Sequence, residues 1–339
     1  MAPLLLARLR AAPSTNSPKS ESRFAKPNLK KSLPYLPIEI LDYIVAFMLL
    51  DHPFFPTIEN FSLASRQFRL IAFRQYFSLL VVRSKAHWAT LCQILGVRSW
   101  ARTLDAVSTA LYANTSHLAS FTHLHTLTID FYAEGPRTHH TSAARLLAHA
   151  PASLTHLELR LLPSLTPPLL ALAAAHCPHL RTLVLRVADR LAPDCCWNCY
   201  DDAGSAALHS PVPNEFCSAE HLAHAFGAAL APLHVLRHLE LGVHLSPLPL
   251  FHAHLAHAGD FRFPPPPGAP PPFGPDACAA CAPLAGPVRD AEVRAAAVLA
   301  AYLPSVEGVT WATWFAKRGR EGDDVVRGTT RIRIVRDEE

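Results

Sequence analysis

Between Ile38 and Leu79 the hydrophobic positions recur with a helical period. Ile40, Leu41, Ile44, Val45, Phe47 and Met48 follow the spacing of one apolar-faced helix beginning at Ile38. Pro34 and Pro37 lie just ahead of it. A proline there costs no hydrogen bond, because its missing N–H would have no helical partner. Asp51, Pro53 and Pro56 end the stretch. The spacing predicts a second helix from about Ile58 to Phe68, with Phe61, Leu63, Ala64 and Phe68 apolar. It predicts a third from about Arg69 to Leu79, with Leu70, Ile71, Phe73, Tyr76 and Phe77. So small a unit cannot cover all of its own apolar surface. The surplus must meet a partner or the region that follows.

Beyond residue 120 the pattern changes to Leu-x-x-Leu-x-Leu. It occurs at Leu124-Leu127-Ile129, Leu154-Leu157-Leu159, Leu180-Leu183-Leu185 and Leu236-Leu239-Leu241, with a looser copy at Val306-Val309-Trp311. The first positions are 30, 26, 56 and 70 residues apart by subtraction. The shorter intervals resemble those of leucine-rich repeats, whose period is about 20–29 residues. The longer ones fit one repeat plus an insertion, or a degenerate repeat in between. Helical stretches at 141–150, 168–177, 218–231 and 292–303 each precede a proline: Pro151, Pro178, Pro232 and Pro304. The proline stops the helix and pushes the preceding residue toward extended geometry. Helix–Pro–strand units in series imply right-handed crossovers and a parallel sheet, each unit covering its neighbour in a curved solenoid.

Side chains alternate along a strand. With Leu127 and Ile129 inward, Thr126, Thr128 and Asp130 face outward. The same holds for His156, Glu158 and Arg160; for Thr182, Val184 and Arg186; and for His238, Glu240 and Gly242. From this face Thr126, Thr128, His156, Glu158, Thr182, Arg186, His238 and Glu240 are the candidate contacts to a target protein. The alternative is a solvated face with no ligand. Val309–Phe315 and Thr329–Val335 are strand-like around a polar turn at 319–324. They predict a terminal hairpin that caps the sheet edge, with Arg331 and Arg333 outward.

Leu36-Pro37-x-Glu39-Ile40, Ile44 and Ser62-Leu63-Ala64-Ser65-Arg66-x-Phe68-Arg69 resemble an F-box. The resemblance implies a unit that docks the small adaptor subunit of a cullin–RING (SCF-type) ubiquitin ligase. It assigns the adaptor contacts to Leu36, Pro37, Ile38, Ile40, Leu41 and Ile44. The expected fold class is α/β: an N-terminal three-helix F-box-like unit (34–82), then a leucine-rich-repeat-like solenoid with parallel strands and a terminal hairpin (83–339). Insertions are expected near 190–215 and 245–287. The expected function is recognition of a target protein for the ligase. The alternative is a non-catalytic repeat scaffold whose helices only cap the solenoid.

Composition sharpens this picture. Half of the 339 residues are hydrophobic, which argues against wholesale disorder. No apolar run reaches the roughly 18 residues a membrane span needs. Residues 1–35 hold seven Lys/Arg and one acid, whereas the remainder holds 24 basic and 26 acidic residues. The folded part therefore lacks the basicity of a nucleic-acid binder. The segment 1–33 is read as a disordered basic tail, with a mitochondrial targeting segment as the alternative. Neither nucleic acid nor membrane is an expected partner, and the expected location is cytoplasmic or nuclear.

The chain has eight cysteines. Two C-x-x-C pairs, Cys196/Cys199 and Cys278/Cys281, have the spacing with which two thiolates grip one tetrahedral zinc. A structural zinc, reduced thiols and a redox pair are the alternatives; Cys195 and Cys217 are further thiols for such a site. His252, His254 and His257 stand close together, and Phe263–Asp276 is proline-rich, as a polyproline-II loop is. No phosphate-binding loop, dinucleotide glycine fingerprint, nucleophile elbow or H-E-x-x-H motif occurs, so no enzyme is expected.

Overall fold

The computed structural model describes residues 36–187, 211–212, 215–245, 250, 279–313, 315 and 329–336. The proline-rich segment 263–276, His252, His254, His257, Cys195, Cys196, Cys199 and Cys278 lie outside the described residues. The backbone separates into two compact units, residues 1–40 and 41–339. Of the first, Leu36–Ile40 are described.

Three helices come first: α1 (Ile38–Asp51), α2 (Phe55–Ala64) and α3 (Arg66–Tyr76). Pro56 lies in the first turn of α2, where a proline is tolerated. The helix expected across 58–68 is broken at Ser65. That residue is extended (φ −160°, ψ 166°), and its hydroxyl accepts the Phe68 N–H at 3.1 Å. Ser65 is thus the N-cap of α3, satisfying one of the helix's orphan donors. The third helix also ends earlier than its apolar period suggests, because Leu79 begins a strand.

The fold is α/β. Among the described residues, eight strands follow one another through the sheet in chain order. They are β1 (Leu79–Val82), β2 (Thr103–Val107), β3 (Thr126–Asp130), β4 (His156–Leu162), β5 (Thr182–Val187), β6 (His238–His244), β7 (Gly308–Ala312) and β8 (Thr329–Arg333). The first seven are parallel, and β8 pairs antiparallel with β7. The connections carry α4 (Lys85–Gln93), α5 (Val97–Trp100), α6 (Ser108–Leu111), α7 (His139–Leu147), α8 (Pro167–His176), α9 (Ala219–Leu230) and α10 (Ala285–Tyr302). Neighbours among the helices also follow chain order, α6 on α7, α7 on α8, α8 on α9 and α9 on α10. Each strand–helix unit therefore covers the next one, and its buried face is completed only by that neighbour.

Two leucine-rich ladders run across the sheet. One is Leu80, Leu104, Leu127, Leu157, Leu183, Leu239 and Val309; the other is Val82, Ala106, Ile129, Leu159, Leu185, Leu241 and Trp311. All are buried. A three-residue turn recurs ahead of the strands. The Leu124, Leu154, Leu180, Leu236 and Val306 amides donate to the carbonyls of Phe121, Pro151, Cys177, Leu233 and Leu303 at 3.1–3.3 Å. This turn places the first leucine of each copy in the core. Since β5 pairs directly with β6, and β6 with β7, the two long sequence intervals are each one unit plus an insertion.

Strands β1 and β2 are additions to the pattern read from the sequence. Phe77-Leu80-Val82 and Ala101-Leu104-Ala106 keep its spacing, 24 and 23 residues apart from each other and from Leu124 by subtraction. Alanine in place of two leucines hides the second copy, although Ala101, Leu104 and Ala106 are all fully buried. At Gly242 in β6 an added Cβ would lie 2.8 Å from the Arg186 Cα and 2.9 Å from the Leu185 carbonyl oxygen. Backbone meets backbone there, so only glycine fits.

Candidate functional site

The three-helix bundle has a small core. Leu41 and Val45 of α1 meet Ile58 of α2 and Ile71 and Ala72 of α3, with Phe55, Phe61, Phe68, Phe73 and Tyr76 packed around them. Phe61 and Phe68 stack at 4.6 Å, and Phe55 meets the Tyr76 ring edge-on at 5.6 Å. Asp42 fixes α1 to α3: its carboxylate accepts from Arg74, and from Gln75 at 3.2 Å. Phe77 stacks on Trp100 at 6.3 Å, which attaches the bundle to the first repeat units.

The other face of α1 is bare. Tyr43, Phe47 and Leu50 are 74, 70 and 76 % exposed, and Phe54, which precedes α2, is 67 % exposed. Tyr43, Phe47 and Leu50 stand at i, i+4 and i+7, on one stripe of the helix. Ile44 belongs to the exposed side as well, as do Leu63 of α2 and Leu70 of α3. Leu36, Pro37, Ile38 and Ile40 are each exposed too. One member of the sequence-derived set is corrected: Leu41, 3 % exposed, faces the bundle's own core and is not free to meet a partner. Its i+4 neighbour Val45 is buried with it, so the inward stripe of α1 is set by that pair. Sequence reasoning missed Tyr43, Phe47, Leu50 and Phe54. The period that places Leu41 and Val45 inward would have found the first three.

The outward sheet face is a second candidate surface. Asp105, Thr128, Glu158, Val184 and Glu240 stand in register across β2 to β6. Thr126, His156, Thr182 and His238 form the row beside them. Three arginines neutralise the acids. Arg83 grips Asp105 with two bonds of 2.8 and 3.0 Å, Arg160 grips Glu158 with two of 2.8 Å, and Arg186 reaches Glu240 at 3.0 Å. Burial alone would raise the Glu158 carboxyl, but the hydrogen bond and charge of Arg160, with the charges of Arg186 and His156, hold it below the usual range. His156 is pushed down by burial, against the pull of Glu158. Thr128 and Glu158 are buried within this lattice, so they shape the face without offering contact area. Thr126, His156, Thr182, Arg186, His238 and Glu240 keep solvent access. Arg331 and Arg333 of β8 point outward, as the alternation predicts.

A third polar group lies where β2, β3 and β4 end. Glu134 accepts from Tyr112, from Ser108 at 3.1 Å and from Ser142 at 3.1 Å. Burial pushes its carboxyl up, and these hydroxyls with Thr138 outweigh that and bring it below the ordinary value. His139 is buried, with its Nε2 3.4 Å from the Ser164 hydroxyl and its Nδ1 3.4 Å from the Gly135 carbonyl. Its basicity is lowered by burial. A carboxylate orienting the far ring nitrogen is what a serine–histidine pair needs for acyl transfer. Here that nitrogen faces a backbone oxygen, and Glu134 is saturated by hydroxyls. The group acts as a clamp between neighbouring units.

The described cysteines divide by environment. Burial pushes the Cys92 thiol up to about 11 and the Cys177 thiol up to about 12, so neither is a ready thiolate. Cys281 is enclosed with Leu250 and Val288. Among the described residues no cluster of three or more His, Cys, Asp or Glu has metal-binding arrangement, and no helix is long and apolar enough to cross a membrane. No family model matches the chain, and no curated protein matches it in sequence.

Proposed function

We propose that the chain is a substrate-recognition subunit of an SCF-type ubiquitin ligase. The helical bundle docks the adaptor, and the outward sheet face with its flanking loops holds a target protein. The carrying observation is the bare stripe of α1: Tyr43, Phe47 and Leu50 in water on a helix whose opposite side is already packed. A helix laid against a groove through i, i+4 and i+7 anchors is a standard mode of protein recognition. The resemblance of Leu36-Pro37, Ile40 and Ile44 to an F-box names the partner. The leucine ladders support the repeat half of the reading, and in it the chain contributes proximity: tethering a target raises its concentration beside the transfer machinery.

The alternative, a scaffold whose helices only cap the repeats, draws on the Phe77–Trp100 stack. That stack uses the α3 side of the bundle and leaves α1 open, so attachment and docking are compatible. Co-purification of the full chain with the adaptor tests the proposal. A Leu36→Ala/Pro37→Ala chain is expected to lose the adaptor while its circular dichroism is unchanged. Full retention would remove the assignment of these residues.

A further inference from the structure

The outward sheet face is not uniform in charge. Along β1 to β4 and the residues that flank them, Arg83, Arg102 and Arg160 stand against Asp105, Asp130 and Glu158, so that half is balanced. Along β5 to β8 the described residues are Arg181, Arg186, Arg237, Arg331 and Arg333 against Glu240 and Glu307, a surplus of positive charge. Arg186 holds Glu240 at 3.0 Å, and Arg237 meets Glu307 at 3.3 Å. Arg181, Arg331 and Arg333 have no acidic partner among the described residues. The backbone gathers these cations. The Arg237 amide donates to the Arg181 carbonyl at 2.8 Å, and the Glu307 amide donates to that of Arg237 at 2.8 Å. The entries to β5, β6 and β7 therefore stand side by side, about 4.8 Å apart. Arg333 pairs with Gly308, which pairs with His238 on the other side. Gly308 brings no side chain to this row, and Arg331 lies across it: an added Cβ would be 3.3 Å from the Arg331 Nε and 3.6 Å from its Nη2. Arg181, Arg237, Arg331 and Arg333 are all exposed.

We propose that the β5–β8 half of this face binds an acidic peptide segment, a run of Asp and Glu side chains on a protein target. The inference rests on the reading of this face as the target surface and stands apart from adaptor docking. A guanidinium offers a carboxylate two parallel hydrogen bonds, so clustered arginines without acidic partners are a site for several carboxylates at once. The Arg237–Glu307 pair is exposed on both sides. Such a pair contributes little, so an incoming carboxylate displaces Glu307 at small cost. A nucleic acid fits less well. Among the described residues no Phe, Tyr or Trp stands on the outward rows of the strands to stack on a base. The carboxylates of Glu158 and Glu240 in the adjoining row repel a continuous phosphate chain. A peptide carries its negative charge only where its own acids are placed.

The test titrates the purified full chain into fluorescein-labelled octaglutamate at low ionic strength and follows fluorescence polarisation. Octaglutamine and an oligothymidylate of the same charge are run beside it. The expected result is saturable binding of octaglutamate that weakens as salt is added, with none of octaglutamine. Arg181→Gln/Arg237→Gln and Arg331→Gln/Arg333→Gln are each expected to weaken it about 10-fold, with circular dichroism retained. Arg102→Gln, on the balanced half, is expected to leave it unchanged. Absence of saturable binding overturns the proposal. So does binding that both double variants leave intact, which would place the attraction on the basic residues before Tyr35. Oligothymidylate that binds more tightly than octaglutamate and is lost in the same variants assigns the face to nucleic acid and also overturns it. Adaptor binding is read separately: a parent chain that binds octaglutamate through these arginines but not the adaptor supports this inference and removes the ligase assignment.

Discussion

The helical bundle and the repeat sheet are built from similarly apolar sequence, yet they finish their surfaces in opposite ways. In the sheet, leucine ladders are sealed by the next unit, and acids on the outer face are matched by arginines. In the bundle, five apolar residues are buried and the outer stripe of α1 is left in water. Of the 17 large hydrophobic side chains exposed among the described residues, ten lie at or before Leu70. Scattered exposed apolar residues are ordinary, whereas a concentration of this kind marks an interaction surface. The contrast locates the candidate docking surface without any catalytic motif.

The strongest way to break the comparison is inside the sheet. Leu157 is fully buried in the first ladder. Leu157→Ala is expected to cost about 2–5 kcal/mol in denaturant melts. A cost near zero would mean that the ladders do not hold the fold. Gly242→Ala drives a methyl into the β5 backbone and is expected to cost about 1–3 kcal/mol, read in the same melts. A neutral result would remove the close approach of β5 and β6.

Two buried carboxylates sharpen the comparison through pH. Glu158 is held below its ordinary value of 4.5. Its contribution to stability is therefore present above that value and is lost as pH falls through the folded-state value. Glu292 of α10 is raised from 4.5, mainly by burial, with Thr313, Arg289 and Thr330 pulling it back. Its sign is opposite: the stability is complete below 4.5 and is lost as pH rises through the raised value. Glu158→Gln should thus lower the melting temperature at neutral pH and Glu292→Gln should raise it, each by roughly 2–4 °C. Both differences should shrink on acidification toward pH 3. Shifts of the same sign would contradict the two environments.

Much of the sheet was legible in the sequence. Helix–Pro–strand spacing and period-2 alternation identify β3 to β7, the terminal strand β8 and the inward leucines, because each depends on chain-local chemistry. The second strand escaped because Ala101 and Ala106 fill leucine positions, and only the neighbouring strands reveal that alanine suffices there; the first escaped because the helical period of α3 runs on to Leu79, where β1 begins. The bundle was legible as three apolar helices, but not in detail. The Ser65 cap and the end of α3 at Tyr76 depend on a hydroxyl and on pairing with β2 rather than on hydrophobic period. The resemblance assigns Leu41 to the partner side together with its apolar neighbours. Its side of the helix is settled by Ile58 and Ile71, which arrive from other helices. On the outer sheet face the register of Thr128 and Glu158 was legible, but their burial was not, since it depends on neighbours that the alternation does not specify: Arg160 of the same strand and Arg186 of the next one against Glu158, and Glu158 against Thr128.

The smallest effect on stability, and the most direct test of the account, comes from one variant, Ile44→Ser/Phe47→Ser. Both side chains are exposed, so its unfolding free energy is expected within about 0.5 kcal/mol of the parent. Its binding to the purified SCF adaptor subunit, measured by calorimetry beside the parent chain, is the decisive reading. The account predicts tight binding by the parent and loss of binding by the variant. A parent chain that does not bind the adaptor, or a variant that binds it equally well, would contradict it.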